Sequence, residues 1–170
     1  MHQMIKTGGR DMNKKTCCLI GHRDMATSKL KHIKEKLCNE VLQAIEDGYT
    51  HFISGFAEGI DLLFATIVVK LMESNPALTL EAAIPYRNRI KTTDELFHRL
   101  LAKCNIIGVH SEEYAPVCDM KRNHFMVSQA QRVIAVYDGR EKGGTVLAMR
   151  YAYSQNREVH VISYRLHRRG

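Results

Sequence analysis

Eight residues, Ser54-Gly55-Phe56-Ala57-Glu58-Gly59-Ile60-Asp61, break an otherwise apolar stretch with two glycines, a hydroxyl and two carboxylates. Two more clusters of similar character are Gly21-His22-Arg23-Asp24 and Gly143-Gly144-Thr145, the latter after Asp138-Gly139-Arg140-Glu141-Lys142. Glycine lets the main chain approach a ligand closely and adopt positive φ. Where such a turn opens a helix, unpaired N–H groups and the positive end of the helix dipole suit phosphate. The chemistry these residues fit is recognition of an anion, with Arg23, Arg87, Arg89, Arg140 and Lys142 as charged neighbours. A single glycine turn serves strand-to-helix geometry equally well. Three that converge favour a small anionic, nucleotide-like ligand.

Convergence requires the turns to share one sheet edge, and the hydrophobic pattern supplies it. Strands are expected at Thr16–Ile20, Thr50–Ser54, Leu78–Ile84, Asn105–His110, Arg132–Tyr137 and Glu158–Ser163. Several are continuous apolar runs, as when helices cover both faces of a parallel sheet. Helices are expected at 27–47, 59–73, 92–103, 120–131 and 144–155, the first with Leu30, Ile33, Leu37, Val41 and Ile45 at helical spacing. Strand–helix alternation with short connections defines an α/β, Rossmann-like, doubly wound and mainly parallel sheet of about six strands, helices on both faces. In such sheets ligands lie beyond the carboxyl ends of the strands, where all three turns fall. The expected organisation is a flexible N-terminal arm over 1–15, one domain over 16–164 and a basic tail over 165–170.

Composition narrows the function classes. Among 170 residues, 45% are hydrophobic and 25% charged, values of an ordinary globular chain. No window is apolar enough to span a bilayer, and the polar first fifteen residues lack a secretory core; a soluble cytoplasmic protein without a membrane partner is expected. Five cysteines without a C-x-x-C pair read as reduced, buried thiols. Nine histidines at unrelated spacings offer no metal site. The net charge of +7 makes nucleic acid a second candidate partner. G-x-G-x-x-G, G-x-x-x-x-G-K-[ST] and G-x-S-x-G are all absent, which excludes the usual dinucleotide, P-loop and α/β-hydrolase signatures.

The segment Ser54–Asp61 resembles the SG-x-A-x-GID stretch of the Rossmann domain in the DNA-processing protein family DprA. Arg122-Asn123-His124-Phe125-Met126-Val127-Ser128, then RVIAVYDG and Gly143-Gly144-Thr145, resembles that family's RN-containing helix, strand and glycine turn. The first turn, GHRDM, and the size are similar to the YpsA-like family of unknown function. All belong to the SLOG superfamily, with the LOG-type phosphoribohydrolases as more distant members. The resemblance covers residues 16–163 and implies a nucleotide or nucleotide-derivative site, a sensor's rather than an enzyme's, with self-association into a homo-oligomer. No separate cofactor is implied beyond the nucleotide-like ligand. LOG-type enzymes carry P-G-G-x-G-T-x-x-E with a catalytic Glu; here Ala148 stands at that place, which argues against strong catalysis. Hydrolysis of an N-glycosidic bond by Glu58 or Asp61, and single-stranded nucleic-acid binding, are the alternatives. The implied ligand-binding set is Gly21, His22, Arg23, Ser54, Gly55, Gly59, Asp61, Arg122, Asn123, Gly143, Gly144 and Thr145. Each has a duller reading: Ser54 as a helix cap, Glu58 and Asp61 as first-turn carboxylates, Arg122 as an exposed helix residue.

Overall fold

A computed structural model describes residues 3–7, 13–25 and 27–164. Its sheet has seven strands: β1 (Gln3–Lys6), β2 (Lys15–Gly21), β3 (Tyr49–Ser54), β4 (Thr79–Ile84), β5 (Ile106–Val109), β6 (Arg132–Tyr137) and β7 (Glu158–Ser163). Their order is β1-β5-β4-β3-β2-β6-β7, and every neighbouring pair is parallel except β1 with β5. Five helices connect them: α1 (Leu30–Glu46), α2 (Ile60–Ser74), α3 (Glu95–Lys103), α4 (Cys118–Gln129) and α5 (Gly144–Ser154).

Side-chain alternation along β2 divides the core. Cys17 and Leu19 join Ile33, Leu37 and Val41 of α1, Phe64 and Val68 of α2, and Phe97 of α3. Cys18 and Ile20 join Met126 and Val127 of α4 and Ala148 and Ala152 of α5. The 2.0-residue period thus sends successive β2 residues into opposite cores, and the strand is buried on both faces, as its unbroken apolar run anticipates. The α1 stripe of Ile33, Leu37, Val41 and Ala44 is buried while intervening lysines and glutamates face solvent. α3 starts on Asp94, whose carboxylate accepts the Leu96 and Phe97 amides at 3.0 and 3.4 Å; this cap shortens the helix expected over 92–103.

The seventh strand corrects the expected free arm. Gln3–Lys6 pairs antiparallel with β5, Met4 opposite Gly108. Its residues are mostly exposed, so main-chain pairing with an open edge, rather than an apolar face, holds it. A polar segment of that kind carries no periodicity signal. The basic tail 165–170 lies outside the described residues.

From β2 the chain runs to β3, β4 and β5 on one side and returns to β6 and β7 on the other. The turns after β2 and β6 therefore diverge, opening a crevice at the reversal of strand order.

Candidate functional site

The crevice is a cavity of about 300 Å³. The turn after β2 contributes Gly21, His22, Arg23 and Asp24; the loop into α2 contributes Ala57 and Asp61; α4 contributes Asp119, Arg122, Asn123 and Met126. Arg140, Gly144 and Thr145 close it from the β6 side. Next to it lies a second cavity of about 230 Å³, lined by Arg23, Gly55, Ala57, Glu58, Pro85, Tyr86, Arg89 and Arg122. Arg23, Ala57 and Arg122 line both, so the two form adjoining lobes.

The loop between β3 and α2 is built by close internal bonding. Ser54 is fully buried, its hydroxyl donating to the Asp61 carbonyl at 2.9 Å and accepting the Phe56 amide at 3.2 Å. Asp61 Oδ2 accepts the Ala57 amide at 3.1 Å; among the described residues Oδ1 has no hydrogen-bond partner. Phe56 is held at φ 55°, a conformation costly for an aromatic residue, with its ring buried against Phe97. Gly59 caps α2 at φ 80°, and a Cβ there would sit 3.2 Å from the Arg23 carbonyl oxygen. Neither α2 nor α5 has a side-chain cap, so the first N–H groups of each helix remain available at the crevice.

Arg122 ties the loop to the sheet. It is 3% exposed, and Nη1 donates to the Gly55 carbonyl at 2.5 Å and the Ala83 carbonyl at 3.3 Å. Nε donates to Asn123 Oδ1 at 2.9 Å, and Nη2 lies 3.5 Å from Asp119 Oδ1. A Cβ on Gly55 would fall 2.7 Å from Nη1 and 2.9 Å from Asp61 Oδ2. Glycine at 55 is thus required by this arginine. Burial pushes the Asp61 carboxyl above the ordinary carboxylate range, opposed by the Arg122 charge and the Ala57 amide.

A charged chain spans the other wall. His22 Nε2 lies 3.2 Å from Asp138 Oδ1. Arg140 grips both Asp138 oxygens at 2.5–3.0 Å and reaches Asp24 at 3.0 Å. Burial holds the His22 imidazole below its usual pKa, against the pull of Asp138. The Arg140 bonds hold the Asp138 carboxyl below its own usual range. Arg23 pairs with Asp119 at 2.7 Å.

Of the expected set, Gly21, His22, Arg23, Asp61, Arg122, Asn123, Gly144 and Thr145 line the larger lobe, and Gly55 lines the smaller. Ser54, Gly59 and Gly143 line neither: they shape the turns behind it. Arg122, read as exposed by default, is buried because four acceptors, two backbone carbonyls and two side-chain oxygens, replace its water.

A family model described as the YspA SLOG family matches residues 18–167. The chain belongs to this family. The uncharacterized SPbeta prophage-derived protein YoqJ of Bacillus subtilis (strain 168) is 28% identical, over 69% of this chain and 80% of that one. A UPF0398 protein of Ligilactobacillus salivarius (strain UCC118) is 24% identical, over 74% of this chain and 72% of its own length. Among solved structures, DNA processing protein A (DprA) of Streptococcus pneumoniae superposes with a TM-score of 0.68 at 16% identity. That match covers 92% of this chain but spans only 53% of the DprA chain, and it establishes the shared fold.

In this SLOG chain, sequence reasoning left Asp24, Asp119, Arg89 and Arg140 out of the site. Arg89 and Arg140 were visible as basic residues after strands. Asp119 had one available signal, its i, i+3 spacing to Arg122 on a helix. Ala148, where the LOG-type motif has its glutamate, is buried on α5 and packs in the second core.

Proposed function

We propose that this SLOG protein binds a nucleotide or nucleotide derivative in the crevice between the β2 and β6 turns. The observation that carries this reading is the cavity itself. It lies at the reversal of strand order, where ligands of such sheets bind, and brings an uncapped helix start together with Arg23, Asn123 and Thr145. Amides at Gly144 and Thr145 suit a phosphate, and the Asp61 carboxylate suits a ribose hydroxyl. Self-association belongs to the same proposal, and sedimentation velocity measures it.

The test is thermal unfolding with AMP, ADP, cyclic nucleotides and ADP-ribose, set against a Gly144→Leu variant. A Cβ on Gly144 meets nothing within 4 Å, so the added bulk leaves the fold intact. A stabilising nucleotide whose effect disappears in Gly144→Leu supports the site. A panel without any stabilising member rejects it.

Asp61 supports a second reading, hydrolysis of a nucleotide N-glycosidic bond. A buried carboxyl with a raised pKa, lining the cavity, meets the requirement for general acid–base work. Release of free base from nucleoside monophosphates, lost in Asp61→Asn, is its signature; no release retires it. The basic charge and the fold shared with a DNA processing protein favour nucleic acid as a further ligand, for which affinity must fall steeply with salt.

A further inference from the structure

The two lobes differ in charge balance. In the larger lobe three arginines, Arg23, Arg122 and Arg140, face three aspartates, Asp24, Asp61 and Asp119. Most of these are already paired: Arg23 with Asp119, Arg140 with Asp24 and Asp138, Arg122 with carbonyls and Asp119. The smaller lobe holds Arg23, Arg89 and Arg122 against one acid, the exposed Glu58. Arg89 donates to the Phe56 carbonyl at 3.1 Å and lies over the Phe97 ring at 4.8 Å. Among the described residues it has no carboxylate partner. Arg23 and Arg122 are shared with the larger lobe and meet Asp119 there, so it is Arg89 that adds positive charge without a carboxylate beyond the glycine turns, in the smaller lobe.

That lobe also has an aromatic wall. Tyr86 follows Pro85 at the end of β4 and meets Tyr114 edge-on, ring centroids 5.2 Å apart. A guanidinium pair for phosphate beside an aromatic face is the equipment for a second nucleotide unit. The lobes share Arg23, Ala57 and Arg122 and adjoin at these residues, where a single ligand would have to cross from one to the other.

Building on the nucleotide reading above, we infer that the ligand carries two phosphates separated by a ribose, in the manner of a 5′-phosphorylated dinucleotide. The first phosphate lies at the Gly144–Thr145 amides, the ribose beside Asp61, and the second phosphate between Arg23 and Arg89 with its base against Tyr86. A free dinucleotide and the 5′ end of a single strand share this chemistry.

Calorimetric titration of the full chain with AMP, with the 5′-phosphorylated dinucleotide pApA and with a 5′-phosphorylated ten-nucleotide oligoadenylate tests it. The expected result is pApA binding at least about tenfold tighter than AMP, the gain of one charge-assisted contact. Arg89→Gln and Tyr86→Ala should each return pApA to the AMP level and leave AMP itself unchanged. Tyr86→Ala removes none of the bonds that hold Phe56, so it separates recognition from loop support. Decamer affinity equal to that of pApA assigns the site to strand ends, and weaker affinity assigns it to a free dinucleotide; both sustain the inference. Equal affinity for AMP and pApA overturns the second subsite while sparing the first. Equal losses for both probes in Tyr86→Ala do the same, and absence of binding by every probe rejects the nucleotide reading as well.

Discussion

Gly55 and Arg122 form the tightest residue-level dependence in the molecule. The guanidinium fills the space a Cβ at 55 would need, and interiors of this density yield little. Gly55→Ala should cost about 1–3 kcal/mol of stability, read as a lower urea midpoint with an unchanged slope. His22 carries the residue-level pH dependence. Its folded pKa is depressed by burial, so the unfolded chain binds the proton more readily. The stability it contributes is present above its unfolded value near 6.5 and is lost as pH falls through the lower folded value. Melting temperatures of the wild type should therefore drop between pH 7.5 and 5 by more than those of His22→Asn. His160, whose pKa is raised by its bonds to Glu158 and Glu40 against an opposing burial effect, acts in the opposite sense, and the comparison of variants cancels it. Equal pH slopes for the two proteins would count against a buried neutral His22.

Among the elements, α3 and β1 show how short segments are secured. α3 has nine residues, too few to persist alone, and relies on Phe97, Leu100 and the Asp94 cap. Asp94→Ala should lower stability by about 1 kcal/mol and leave the cavity untouched, which equilibrium unfolding and ligand titration measure separately. β1 protects the β5 edge, whose unpaired backbone would otherwise template association. A chain lacking residues 1–7 should keep the cooperative melt and scatter more light on standing. Unchanged scattering would mean that β5 needs no cover.

For the whole molecule, ligand binding and stability are one equilibrium. If the proposed nucleotide binds, its presence at a hundredfold Kd should stabilise the folded state by about 2.7 kcal/mol. For a chain of this size that raises the melting temperature by roughly 5–10 °C. Among the described residues no helix is long and apolar enough to cross a membrane. The cavities lie on the edge that carries the helix starts, and the basic and acidic side chains there are largely paired, so the net charge of +7 is not concentrated in the larger lobe.

The fold was legible because it rests on local periodicity. Runs such as TCCLI and RVIAVY, and the α1 stripe, specify strands and helices wherever they occur in a chain, and strand–helix alternation then leaves few topologies. The glycine turns were legible for the same reason: backbone freedom belongs to the residue type. What sequence alone did not contain was the pairing of distant polar groups. Arg122 became a buried brace only because the Gly55 and Ala83 carbonyls, 67 and 39 positions away, were brought to it. β1 became a strand only because β5 ended the sheet beside it. Asp119 and Arg89 joined the site through the same closure, since charge compensation depends on distance in space and not along the chain. Local sequence determined the elements and the turns; tertiary packing decided which charges were neutralised and left Arg89 facing the crevice with no carboxylate partner among the described residues.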